Sequence, residues 1–274
     1  MKPADFLAEA AAAILAAGEP AEKVALSRAL AARWRAGGMT VGHAMPPPRP
    51  ARPTRPVLCP PRSMPRRRNF GSLAGRIALI HALAHIELNA IDLAWDIIAR
   101  FRHDGLPRAF YDDWVGVAAE EAEHFTLLVD RLGALGAAYG HLPAHDGLWE
   151  AAAATAHDLL ARLAVVPLVL EARGLDVTPE MIARLERTGD AASATILSRI
   201  YQDEIGHVAV GMRWFGRLCR GRGLEPETVF QERVRRYFSG ALKPPFNREA
   251  RDAAGLPPRW YEMLSATRSD PVST

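Results

Sequence analysis

Two short stretches of this chain share one chemistry-bearing spacing. Glu121-Ala122-Glu123-His124 and Glu204-Ile205-Gly206-His207 each set a carboxylate three residues before an imidazole. On a helix, positions i and i+3 lie on one face, so the two side chains can reach the same metal ion. A single Glu-x-x-His arises about once by chance at this composition and means little alone. Here each copy follows a lone glutamate set in an apolar run: Glu87 in HALAHIELNAIDLAW and Glu171 in LAVVPLVLEARG. An ionised carboxylate buried without a partner is very costly, so these glutamates demand a cation.

The spacing repeats, with 34 residues from Glu87 to Glu121 and 33 from Glu171 to Glu204. That predicts two copies of one helical hairpin, facing each other. Glu87, Glu121, His124, Glu171, Glu204 and His207 are then candidate ligands for two metal ions, as in di-metal carboxylate bundles. Four carboxylates neutralise two divalent cations. Oxygen and nitrogen donors without sulfur suit two iron ions, with manganese or a mixed iron–manganese pair as the alternative.

Another acid precedes each motif glutamate, Glu120 and Asp203. A metal-ligating histidine donates its second ring N–H to an acceptor behind it. Pseudo-symmetry pairs Asp203 with His124 and Glu120 with His207. Tyr201, one turn before Glu204, is a candidate partner of a ligand or a redox group, against the plainer reading of a half-buried core tyrosine. His81 and His85, near Glu87, read as packed or supporting groups. Pro167, four residues before Glu171, is expected to kink its helix and is a candidate for opening a pocket beside the metals. In the loop PAHDGLW, Asp146 is expected to cap a helix, and His145 is a candidate substrate or gating residue.

The elements that must position these groups are helical. Residues 4–37 read as two short helices, with Pro20 at the start of the second. Residues 38–70 form a connector rich in Pro and Arg that cannot be helix interior. Long helices follow over 71–103, 108–135, 148–174 and 190–219, with a short one starting at Thr178-Pro179 and another at 226–239. A Pro-rich tail over 241–274 carries two short turns. The fold class is therefore all-α: a ferritin-like four-helix bundle over 71–240, with an N-terminal helical and Pro/Arg-rich extension and a C-terminal helical tail.

Composition sets the outer bounds. The 274 residues are 49% hydrophobic and 24% charged, ordinary for a soluble globular chain. The net charge of +3 is too small to name a partner, so only its clustering counts. Arg49, Arg52, Arg55, Arg62, Arg66, Arg67 and Arg68 cluster in the connector and could meet phosphates, but no aromatic residue interleaves them before Phe70. A solvated strap along the bundle is the expected reading. Cys59 and Cys219 form no C-x-x-C pair, which argues against a thiolate site and fits a reducing cytoplasm. No run of about 18 uncharged apolar residues predicts a membrane span.

The runs HALAHIELNAIDLA, EEAEHF, YGHLPAHDGLWEAA, VVPLVLEARGLDVTP, DEIGHVAVG and KPPFNREAR resemble one bacterial ferritin-like family, the domain of unknown function 455. The resemblance runs from the connector to the tail and implies a metal-carboxylate bundle without an assigned reaction. The acid-before-glutamate pattern is also similar to ribonucleotide reductase small subunits and bacterial multicomponent monooxygenases. Leu128, seven residues after Glu121, stands where the radical-bearing reductases carry a tyrosine. More distantly, the ligand pattern resembles the hydroxylases of isopentenyl-adenosine in tRNA and of quinone precursors.

The expected function is an oxygen-activating oxidoreductase or hydroxylase, with dioxygen and a small organic molecule as partners. The alternatives are iron handling as a ferroxidase or store, an RNA-modifying hydroxylase that binds its nucleic acid through the connector, and metals that only hold the bundle together. A homodimer is compatible with the sequence.

Overall fold

The computed structural model describes residues 5–60, 63–64, 70–101 and 105–265. Every regular element among them is helical; the β-type pairing is limited to isolated bridges such as Phe6 with Thr40 and Leu58 with Ala144. Helices α1 (Leu7–Ala16) and α2 (Pro20–Arg35) precede the connector, and Pro20 occupies the first turn of α2 as the sequence predicts. The long helices are α3 (Leu73–Arg100), α4 (Arg108–Ala134), α7 (Ala172–Arg187) and α8 (Ala191–Gly221). Between α4 and α7 lie two short helices, α5 (Gly147–Ala154) and α6 (Leu159–Val165), and one π-helical segment, Val166–Glu171. Helices α9 (Pro226–Tyr237), α10 (Arg248–Ala253) and α11 (Pro258–Tyr261) and a 3-10 turn, Glu262–Leu264, are the last elements among the described residues.

α3 packs lengthwise on α4, and α7 on α8. α3 is buried almost all round because α1 covers one side and α4 another. It is long and apolar enough to cross a membrane by composition, and 72% of its most apolar window is buried inside the protein.

The region from 148 to 187 departs from expectation. Instead of one helix over 148–174, the chain breaks at Thr155–Asp158. The Asp158 carboxylate caps α6, accepting from the backbone N–H of Leu160 at 2.9 Å and Ala161 at 3.2 Å. Arg162 reaches back across the break to the Ala152 carbonyl at 2.6 Å and the Thr155 hydroxyl at 3.0 Å. Nor does a new helix begin at Thr178-Pro179: Pro179 lies inside α7. A mid-helix proline frees the carbonyl four residues back, here that of Leu175, and the Asn247 side-chain amide donates to it at 3.1 Å. The tail thus supplies the hydrogen bond that the proline removes.

Asp146 sits at the N-cap of α5 but makes no capping hydrogen bond. It pairs instead with Arg49 at 2.5 Å and faces Arg52 at 3.8 Å. The described part of the connector is tied down by its backbone: Ala51 donates to the Leu15 carbonyl at 2.7 Å and Cys59 to that of Ala144 at 2.8 Å. Arg62, Arg66, Arg67 and Arg68 lie outside the described residues.

The strap is anchored by buried charge. Arg52 donates to Asp92 at 2.6 Å and to Asn89 at 2.6 Å, and Lys23 of α2 pairs with the other Asp92 oxygen. Burial pushes the Lys23 amine down and the Asp92 carboxyl up, each opposed by its partner's charge. Removing one member of such a set leaves an uncompensated buried charge, which costs more than the pair contributes. Asp92→Ala should therefore lose about 3–5 kcal/mol of stability, and Lys23→Met combined with Asp92→Leu should lose clearly less. Urea unfolding of the two variants measures the difference.

Candidate metal centre

The six predicted ligands come from four elements: Glu87 from α3, Glu121 and His124 from α4, Glu171 from the end of the π segment, and Glu204 and His207 from α8. Glu87, Glu121, His124 and Glu204 each offer an atom to a single group whose members all lie within 4.8 Å of one another. His207 joins it through Nδ1, which is 3.0 Å from Glu121 Oε1 and 3.7 Å from Glu204 Oε2. His124 Nδ1 is 3.4 Å from Glu121 Oε2 and 3.5 Å from Glu87 Oε2. Glu121 therefore lies between the two imidazoles, whose ring centroids are 5.7 Å apart. Glu171 stands outside the tight group but within electrostatic reach of Glu204 and Glu121.

The acids behind the histidines pair across the bundle. His124 Nε2 is 3.0 Å from Asp203, and His207 Nε2 is 2.8 Å from Glu120. A carboxylate only accepts, so each Nε2 carries the hydrogen and each Nδ1 faces the centre. Tyr201 is half-buried, and its hydroxyl accepts from the Asn247 amide at 2.9 Å, which ties the tail to α8. His81 Nε2 accepts from the Gly140 backbone N–H at 2.9 Å. His85 bridges the Tyr139 hydroxyl at 2.8 Å and the His145 carbonyl at 3.1 Å. Both turn away from the ligand set.

The atoms that face the centre are the ones left without hydrogen bonds. Glu87 Oε2, both oxygens of Glu121, His124 Nδ1, Glu171 Oε2, Glu204 Oε2 and His207 Nδ1 are buried and unpartnered. Buried polar atoms are normally paired, so this concentration of bare acceptors fits cations. With only each other for neutralisation, most of these side chains are shifted toward their protonated forms. Burial, and then the charge of Glu121, pushes the Glu87 carboxyl well up. Burial, and then Glu204 and Glu121, does the same to Glu171, and Glu204 rises for like reasons. Burial would also raise Glu121, but His207 and His124 outweigh it and hold it below the usual carboxylate range. Burial opposes a charged His124, yet Glu121 and Glu87 carry it up to about 11, and His207 is raised likewise by Glu121 and Glu120.

Glu171 is the last residue of the π segment. Pro167 lies in it, and the chain gains a turn of i to i+5 type in place of a simple kink. α8 meets that turn closely: a Cβ on Gly211 would lie 2.7 Å from Pro167 Cβ, so this position needs glycine. Beside the turn, a cavity of about 230 Å³ opens onto Glu87, Glu171 and Glu204. Ile86, Ala90, Leu93, Leu170, Leu197 and Ile200 form much of its wall, and His145 also lines it. Sequence reasoning missed these wall residues, because apolar side chains all round α3 do not show which of them face a void.

Two outcomes follow for metal binding. Cations compete with protons for the two imidazoles and for the carboxyls that burial and neighbouring acids push up, so affinity should rise with pH and binding should release protons. Calorimetric titration of ferrous or zinc ion in buffers of different ionisation enthalpy reads this directly; a pH-independent affinity would contradict it. Asp203→Ala frees the His124 ring and should weaken binding by about 10–100-fold while the fold is retained, as seen in competition with a chelator and in the helical circular dichroism.

No solved structure matches this chain. A protein of Haemophilus influenzae, named only as uncharacterized, is 44% identical over 209 residues, covering 74% of this chain and 72% of the relative. A family model described as "Protein of unknown function (DUF455)" matches residues 16–262. The chain therefore belongs to the DUF455 family.

Proposed function

We propose that this protein is a ferritin-like di-metal carboxylate protein that uses dioxygen to oxidise a small organic substrate. The observation that carries the reading is where the cavity ends. Three of the four candidate carboxylates, Glu87, Glu171 and Glu204, line it. A metal site that only holds a fold together is closed by its protein ligands, whereas this one faces a space large enough for a reactant. The pairing of α3 with α4 and of α7 with α8 supports the ferritin-like arrangement, since Glu87 on α3 faces the Glu-x-x-His of α4, and the π segment that ends in Glu171 runs directly into α7, the partner of the second Glu-x-x-His on α8.

Two iron ions, or manganese in their place, would supply the activation of dioxygen and the oxidising power. The protein's own groups do the rest. Asp203 and Glu120 orient the imidazoles so that Nδ1 points inward. Glu121, fully buried, faces both imidazoles and would hold the metals together with them. Glu171 and Glu204 are only half-buried because they border the cavity, and each keeps one oxygen without a hydrogen bond. They are the carboxylates best placed to hold a proton beside a substrate. The apolar wall excludes water and so strengthens every charge interaction at the centre.

Anaerobic protein loaded with ferrous ion should oxidise on mixing with air and stop at two ferric ions per chain. Absorption spectroscopy with iron analysis of the product checks this. Continued uptake into mineral would replace the reading with iron storage, and protein that stays ferrous for hours in air would leave the metals a structural role.

A further inference from the structure

We propose that the cavity beside the carboxylates selects a mainly hydrocarbon molecule bearing one anionic group, with the anion held at Arg173 and the apolar body lying between α3, α7 and α8. The oxidative fate of that molecule rests on the function proposed above; its binding does not.

The wall carries the first half of the argument. Apart from the three carboxylates, the polar residues that line the cavity are His145, Arg173 and Thr178, and the remainder are apolar or glycine. A volume of about 230 Å³ is near the small end of ligand pockets. A charged or strongly hydrated body would lose its water there without replacement.

Arg173 carries the second half. Its Nη1 donates to the carbonyls of Lys243 at 2.7 Å and Pro245 at 3.3 Å, and lies 3.3 Å from Asp176 Oδ2. Asp176 is already committed elsewhere. The buried Arg251 holds both of its oxygens, through Nε at 2.8 Å and Nη2 at 2.7 Å. One carboxylate thus serves two guanidinium groups, and the closer, fully buried one is Arg251. Arg173, 39% exposed, is left with a positive charge that carbonyl dipoles only partly offset. Its Nε and Nη2 make no hydrogen bond among the described residues. A planar guanidinium with free N–H groups is suited to a carboxylate or a similar oxyanion. The glutamates repel an anion, so the apolar end of the molecule is the one turned toward them.

The test uses protein loaded with zinc, which is redox-inert, and two probes of equal chain length, decanoate and decan-1-ol, followed by calorimetry. Both should bind, decanoate about tenfold more tightly, which corresponds to one modest charge pair. Arg173→Met should abolish the difference and Arg173→Lys should keep most of it. Ala90→Phe, which fills the apolar wall, should weaken both probes with the zinc content unchanged; if that variant does not fold, the two Arg173 variants decide alone. A preference for decanoate that survives Arg173→Met would place the anion on the metals and overturn the proposal, as would failure of both probes to bind. None of these outcomes involves dioxygen, so probe binding with inert iron would sink the oxidase reading alone.

Discussion

Carboxylates buried in an apolar helical interior are the constraint on which the rest of this structure turns. Glu121 is fully buried with no hydrogen bond to either oxygen, and Glu87 lies beside it. Such a pair cannot persist as two bare anions. The protein meets the cost with two imidazoles aimed at the same point, each braced from behind by an acid on the opposite motif helix. The crossed pairing, α8 acid to α4 histidine and α4 acid to α8 histidine, also fixes how those two helices lie against each other. The same side chains that would hold a metal therefore help to set the packing.

The internal repeat is preserved in chemistry and broken in geometry. Glu87 sits on regular α-helix, while Glu171 ends a π segment that contains Pro167. Of the second half only Glu171 stands outside the tight group, while Glu204 and His207 stay with it, and the cavity lies beside the π segment. Gly211, the last residue of DEIGHVAVG, lets α8 approach this turn. The cavity therefore meets the cluster at Glu87, Glu171 and Glu204, while Glu121 stays fully buried between the imidazoles.

A second set of buried charges holds the outer layers on. At 3.6 residues per turn, Asp92 and Asp96 stand about 140° and 180° around α3 from Glu87, so they face away from the ligands. Asp92 takes Lys23 and Arg52, and Asp96 takes Arg100 and the buried Arg162. One helix thus carries a chemical face and an anchoring face. The tail is fixed by the same means, through Arg251 on Asp176 and Asn247 on Tyr201.

The clustering of Glu87, Glu121, His124, Glu204 and His207, the histidine–acid pairs behind the imidazoles and the helices α3, α4 and α8 that carry them were legible in the sequence, whereas the break before Glu171 was not. What was legible depends on local spacing: i to i+3 within one helix, and near-equal intervals between helices. The capping role of Asp146 and the new helix at Thr178-Pro179 were misread because each is settled by a partner distant in sequence, and the tail partner of the half-buried Tyr201 was equally invisible. Asn247 takes the Tyr201 hydroxyl and covers the carbonyl freed by Pro179, and Arg49 takes Asp146. Only the tertiary structure decided where the apolar surface fails to close. A helix that is apolar all round gives no sign of which side chains meet a neighbour and which meet a void, since hydrophobic burial has no direction of its own. The cavity and the half-satisfied Arg173 at its edge exist only once α3, α7, α8 and the tail are placed together.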